Sequence, residues 1–112
     1  MEAANRFRDE RDWRQFHKPK DLALSLTLEA AEVLEHFQWK DGEKLKAYLE
    51  GGGSSAIGKE LADVMVYLLF LACDLGIDLE QAVLDKLVEN AKKYPVELAR
   101  GKSEKYTTYQ NA

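Results

Sequence analysis

The sequence has 112 residues, 46% of them hydrophobic and 32% charged, a balance that fits one folded domain and excludes a disordered chain or separate catalytic and binding modules. A formal net charge of −4 provides no general basic field, so a nucleic acid polymer is not an expected partner. The one cysteine, Cys73, has no intrachain partner, the stretch MEAANRFRDERDW has no apolar segment suited to secretion, and the apolar run from Val64 to Cys73 is too short to span a bilayer, so the expectation is a cytoplasmic protein with no membrane partner.

The residues before Phe16 read as a polar first helix, and His17-Lys18-Pro19-Lys20 as a turn. From Asp21 to Gln38, Leu22, Leu26, Val33 and Phe37 repeat at helical spacing, with Asp21 as the expected cap. A short helix is expected over Gly42 to Glu50. Residues 51–55, Gly51-Gly52-Gly53-Ser54-Ser55, read as a flexible interhelical loop; they lack the GxxxxGK[ST] spacing and the preceding strand that a phosphate loop needs. A second long helix is predicted from Ile57 to Leu75, with Gly76 at its carboxyl end. Its middle is apolar on nearly every side, which predicts burial all round and a second subunit over one face. Asp78 caps a third long helix through Lys93, ended by Pro95, and residues 95–112 read as an extended carboxy-terminal arm. The chain is thus expected to be all-α, with residues 1–112 as a single helical domain.

Placed on helices at about 100° per residue, Glu29 falls in the middle of the stripe made by Leu22, Leu26 and Val33, with Glu32 flanking it. Glu60 lines up with Val64, Tyr67 and Leu71 on the next long helix, with Asp63 beside it. Two E-x-x-[ED] pairs therefore point inward, and two such helices packed together converge four negative charges with no lysine or arginine in either stripe to neutralise them. A hard divalent cation, Mg²⁺ or Mn²⁺ in its place, resolves the repulsion, because it takes oxygen ligands and bridges carboxylates to phosphates. Di-iron proteins of the bundle type use Glu-x-x-His instead. His36 follows Val33 at that spacing and completes no such motif, so it reads as a surface residue. A Cys/His cluster for zinc is likewise missing from the sequence.

The paired motif Glu29-Ala30-Ala31-Glu32 and Glu60-Leu61-Ala62-Asp63 resembles that of MazG-like all-α nucleoside triphosphate pyrophosphohydrolases. RDWRQFHKPKDLALSL, FQWK, ELADVMVYLL and KLVENAKKYP are similar to the branch that includes dCTP pyrophosphatase and its bacterial relatives, and the likeness runs from Arg11 to Tyr109. The resemblance implies a four-helix-type bundle, assembled as a homodimer or as a dimer of dimers, a homotetramer. It also implies hydrolysis of a (deoxy)nucleoside triphosphate, dCTP-like or modified, to monophosphate and pyrophosphate in a housecleaning role. Glu29, Glu32, Glu60 and Asp63 match the positions that hold Mg²⁺ and carry the catalysis. Lys86, Asn90 and Lys93 recur on one helical face and, with Tyr67, match residues near the phosphates or sugar. Trp13 and Trp39 match the base pocket, with His17 as a polar tip beside them. Ala31 stands where relatives often carry glycine, a change a helix tolerates; Ala4 stands where some carry a histidine near the phosphates, which weakens transfer of a strict dCTP preference. The other readings of these acids are a nucleotide-binding or helical interaction module without turnover, and a hydrolase of the phosphoribosyl-ATP or dUTP type.

Overall fold

The computed structural model describes residues 2–101, and every regular element among them is helical. The chain divides into two compact units, Met1–Ile77 and Asp78–Ala112. In the first, α1 (Glu2–Glu10) leads through a 3-10 turn, Arg14–Phe16, to α2 (Pro19–Glu35), then α3 (Gly42–Tyr48) and α4 (Ser54–Asp74). In the second, α5 (Leu79–Lys93) is followed by the short α6 (Val96–Ala99).

Pro19 sets where α2 begins. It occupies the first helical turn, where its missing N–H costs nothing, and the carbonyl of Lys18 accepts from the Leu22 amide at 2.9 Å. Asp21 therefore lies inside the first turn and is not the cap; its charge still complements the positive end of the helix dipole. The helix stops at Glu35, short of the expected Gln38, because the chain turns through Trp39 at φ 64, a left-handed conformation outside any helix.

The glycine run is not the flexible loop expected over residues 51–55. Leu49–Gly53 is a short kinked connection, with non-helical backbone at Gly51 and Gly52, and Ser54 and Ser55 are already the first turn of α4. The kink is taken up at Gly52, whose φ of 106 suits glycine alone. Gly53 is buried against Tyr48, and a Cβ there would lie 2.5 Å from the tyrosine ring and 2.6 Å from its carbonyl oxygen. The glycines thus permit a close approach within an ordered turn.

Helices α2 and α4 pack along each other and run antiparallel: His17, just before α2, stacks 5.1 Å from Phe70 near the end of α4, whereas His36, just after α2, lies beside Glu60 near its start. Leu22, Ile57, Phe70 and Ala72 are the fully buried apolar side chains among the described residues. The predicted all-round burial of α4 does not hold within one chain, since Leu61 and Met65 are half exposed. The reason is supply: α1 and α2 are the long elements packed on α4 in this unit, and they cover part of its circumference.

In the second unit Asp78 caps α5 as expected, its carboxylate accepting from the Gln81 amide at 3.1 Å. Of the predicted extended arm, α6 shows that its start is helical, and residues 102–112 lie outside the described residues.

Among the described residues, one polar side chain is buried completely. Arg8 of α1 donates through both terminal nitrogens to Asp74 at the end of α4, at 2.9 and 2.6 Å, and through Nε to Asn5 at 3.1 Å, with its guanidinium 4.5 Å over the Phe70 ring. Arg14 also approaches Asp74, at 3.6 Å, and pairs with Asp9. The Arg8 hydrogen bonds hold the Asp74 carboxyl below its usual 3.8. A depressed carboxyl contributes stability that is complete above the unfolded value and is lost as the pH falls through the folded one. Arg8→Met should therefore cost about 3 kcal/mol by leaving Asp74 with only the more distant Arg14 beside it. Urea denaturation of wild type and variant should show that this gap closes below pH 3.8.

Candidate functional site

The antiparallel register of α2 and α4 sets Glu29 and Glu32 opposite Glu60 and Asp63. Carboxylate oxygens of Glu29, Glu60 and Asp63 all lie within 4.8 Å of one another, and Glu32 stands next to both Glu29 and Glu60, close enough for a shared proton. Burial, then the hydrogen bond and charge of Glu32, and then Asp63 and Glu60, push the Glu29 carboxyl above its usual 4.5. Glu60 is pushed up first by its hydrogen bond to Glu32, then by burial and by the charges of Glu32 and Asp63. One oxygen of Glu29, Oε2, is buried with no hydrogen-bond partner. A buried acceptor without a partner is costly, and a carboxylate in that state suits a cation. The donor set is all oxygen, which fits a hard divalent ion such as Mg²⁺.

Beside the acids, α1 and α4 enclose an open cavity of about 480 Å³, lined by Ala3, Ala4, Phe7, Asp63, Val66 and Leu69. Asp63 belongs to both the acidic cluster and the cavity wall. Trp13 packs edge-on against Phe7, with ring centroids 5.4 Å apart, and so supports one lining residue. His17 faces inward to Phe70 and sets Nδ1 3.4 Å from an Arg8 nitrogen; burial first, and then the Arg8 charge, lowers its pKa. Tyr67 meets Phe70 edge-on at 6.1 Å. Trp39 is apart from this aromatic series, 84% exposed on the α2–α3 connection. Lys86, Asn90 and Lys93 fall in the second unit on α5, where both lysines pair with Glu89, at 3.3 and 3.2 Å.

The sequence reading missed two groups. The small wall of Ala3 and Ala4 went unmarked as a lining because α1 is polar on average. His36, taken for a surface residue, is half-buried: its Nε2 stands 3.9 Å from Glu60 Oε1, and its Nδ1 is 2.5 Å from the Tyr48 hydroxyl. The signal was present in the spacing, since His36 follows Glu32 by four residues and Glu29 by seven, on the same helical face.

An acidic centre held between two antiparallel helices, with an apolar cavity at its edge, defines the class in outline: an all-helical fold whose clustered carboxylates offer oxygen ligands to a cation. The comparisons narrow it. The MazG-like family profile matches residues 24–108, and the chain belongs to the MazG-like family. It is 46% identical over 102 residues to human dCTP pyrophosphatase 1 and 44% identical to the rat protein, covering 90% of this chain and 60% of theirs. The chain thus spans 60% of the length of these curated relatives. A crystallised pyrophosphatase from Archaeoglobus fulgidus superposes with a TM-score of 0.76 at 38% identity, covering 84% of this chain and 87% of that one. Among the described residues, no helix is long and apolar enough to cross a membrane.

The raised carboxyls give a sign for stability. A metal-free protein must ionise Glu29 and Glu60 against their neighbours, so the contribution of the cluster falls as the pH rises from 4.5 through the raised values. In chelator, Glu60→Gln should flatten that decline and raise the thermal midpoint at neutral pH. Mg²⁺ at a hundredfold excess over its Kd should stabilise the wild type by about 2.7 kcal/mol and leave the variant nearly unmoved. Thermal scans with and without Mg²⁺ at pH 5 and 7.5 read both effects.

Proposed function

We propose that the protein hydrolyses a (deoxy)nucleoside triphosphate to its monophosphate and pyrophosphate, with Mg²⁺ held by Glu29, Glu32, Glu60 and Asp63 and with a dCTP-like or modified deoxynucleotide as substrate. The observation that carries the reading is Asp63, which joins the unpartnered acidic cluster to an apolar cavity. A triphosphate whose base enters that cavity brings its phosphates to the acids. The names of the relatives, dCTP pyrophosphatase 1 and a pyrophosphatase, support the same chemistry.

When bound, the divalent ion supplies positive charge to the phosphate oxygens and acidifies the attacking water. The chain's own residues do the rest. Glu29, with its buried oxygen, and Glu60 and Asp63 form the close set that holds the ion. Glu32 is exposed at the solvent side and tied to Glu29 and Glu60, which suits it to take the proton from water. Phe7, supported by Trp13, offers a flat apolar face for the base, and Val66 and Leu69 exclude water from it. Tyr67, Lys86, Asn90 and Lys93 are assigned to the phosphates and sugar, and His17 and Trp39 to the surroundings of the base, on the family pattern.

Product analysis with a panel of canonical and 5-modified deoxynucleoside triphosphates in Mg²⁺ should show pyrophosphate and monophosphate in equal amounts, reduced at least about a hundredfold in Glu60→Gln. Orthophosphate as the product, or activity that survives in Glu60→Gln, would contradict the assignment. Nucleotide binding without turnover would favour the binding module.

The apolar side chains left uncovered on one chain support a homodimer or homotetramer. On α2 Leu24 and Leu28 are 52% and 65% exposed, and on α4 Leu61 and Met65 are each 53% exposed, both pairs at i,i+4 spacing. Light scattering at micromolar concentration should give a dimer or larger. Leu28→Lys together with Met65→Lys should shift it toward monomer.

A further inference from the structure

The glycine kink, Tyr48 and His36 form a continuous series of contacts that ends on an acid of the cluster. Gly53 has no side chain, and the Tyr48 ring occupies the space where its Cβ would stand. Lys40 Nζ lies 4.5 Å over that ring and helps to hold it. The Tyr48 hydroxyl meets His36 Nδ1 at 2.5 Å, the two rings lie 5.9 Å apart at 30°, and His36 Nε2 faces Glu60 Oε1 at 3.9 Å. When the Tyr48 hydroxyl donates to Nδ1, the proton of the neutral ring is left on Nε2, the nitrogen nearest Glu60.

We propose that Tyr48 and His36 are positioning residues for Glu60: the Nε2–H of His36, its tautomer set by Tyr48, directs one Glu60 oxygen and leaves the other aimed into the acidic cluster. This inference rests on the reading of the cluster as a metal site. It gives a reason for the kink at Gly51 and Gly52 between α3 and α4, after which Gly53 passes directly against the Tyr48 ring. It also gives the glycine run a role other than that of a linker, since a Cβ at Gly53 would displace the Tyr48 ring. Polar groups standing behind a ligand in this way, His36 Nε2 being 3.9 Å from Glu60, orient it and raise affinity without touching the ion.

The test measures Mn²⁺ affinity by the electron paramagnetic resonance of free ion, in the full chain without nucleotide, for wild type, His36→Leu, His36→Gln and Tyr48→Phe, each with its thermal midpoint. His36→Leu should weaken Mn²⁺ binding about tenfold, and Tyr48→Phe, which keeps the ring packing and removes only the hydroxyl, should weaken it several-fold. His36→Gln should recover most of the loss, because its amide N–H stands close to the place of Nε2–H. A role confined to packing would follow the thermal midpoints and would not separate glutamine from leucine in this way. Wild-type affinity in both Tyr48→Phe and His36→Leu overturns the inference and leaves the metal site standing. Absence of Mn²⁺ binding by the wild type overturns the metal reading, and this inference with it.

Discussion

Mutual repulsion among Glu29, Glu32, Glu60 and Asp63 is the constraint on which the rest of the first unit depends. Packing α2 on α4 brings these acids together, and the same packing buries Leu22, Ile57 and Phe70. The hydrophobic gain and the electrostatic cost therefore belong to one act of folding and cannot be separated by shifting the register. The cost shows in the Glu29 and Glu60 carboxyls, which burial and their acidic neighbours push above the usual 4.5. The divalent cation proposed above would offset the same repulsion, so its binding would be coupled to proton release.

The two ends of α4 handle negative charge in opposite ways. At the carboxyl end Asp74 meets the buried guanidinium of Arg8, with Arg14 nearby, and its charge is matched from within the chain. Near the amino end His36 lies close to Glu60, and no lysine or arginine pairs with the cluster among the described residues. A protein that needed only to neutralise its acids could have used arginine at both places. Leaving one cluster unmatched while matching the other is the arrangement expected when positive charge is to come from a ligand. The Arg8 clamp serves that arrangement too, because it fixes α1, and α1 supplies Ala3, Ala4 and Phe7 to the cavity wall.

Periodicity made much of this legible. The stripes of Leu22, Leu26 and Val33 and of Val64, Tyr67 and Leu71 located α2 and α4, and Glu29 and Glu60 within those stripes foretold the convergence of the acids. What stayed hidden depends on backbone conformation and on pairs distant in sequence. Nothing in the composition of Gly51–Gly53 separates a slack loop from a tight kink, because glycine permits both, and what decides is the Tyr48 ring against Gly53. Arg8 reads as one more charge on a polar helix until Asp74, 66 residues away, is seen to accept from it. His36 is a different case, since its register with Glu29 and Glu32 was present in the sequence and only the expectation of an i,i+3 motif concealed it.

Trp39 shows where the single chain stops being a sufficient frame. An indole 84% exposed on a backbone held at φ 64 is unfavourable twice, once for the apolar surface left in water and once for a left-handed conformation in a residue with a bulky side chain. Neither cost is offset by a ring contact among the described residues. The half-exposed Leu24, Leu28, Leu61 and Met65 carry the same kind of uncompensated cost along α2 and α4. A second copy would relieve the leucines and the methionine by covering them, and strained, exposed groups of the Trp39 kind persist where a surrounding contact fixes their conformation. In the proposed homo-oligomer these exposed residues would find the partners that the single chain does not give them.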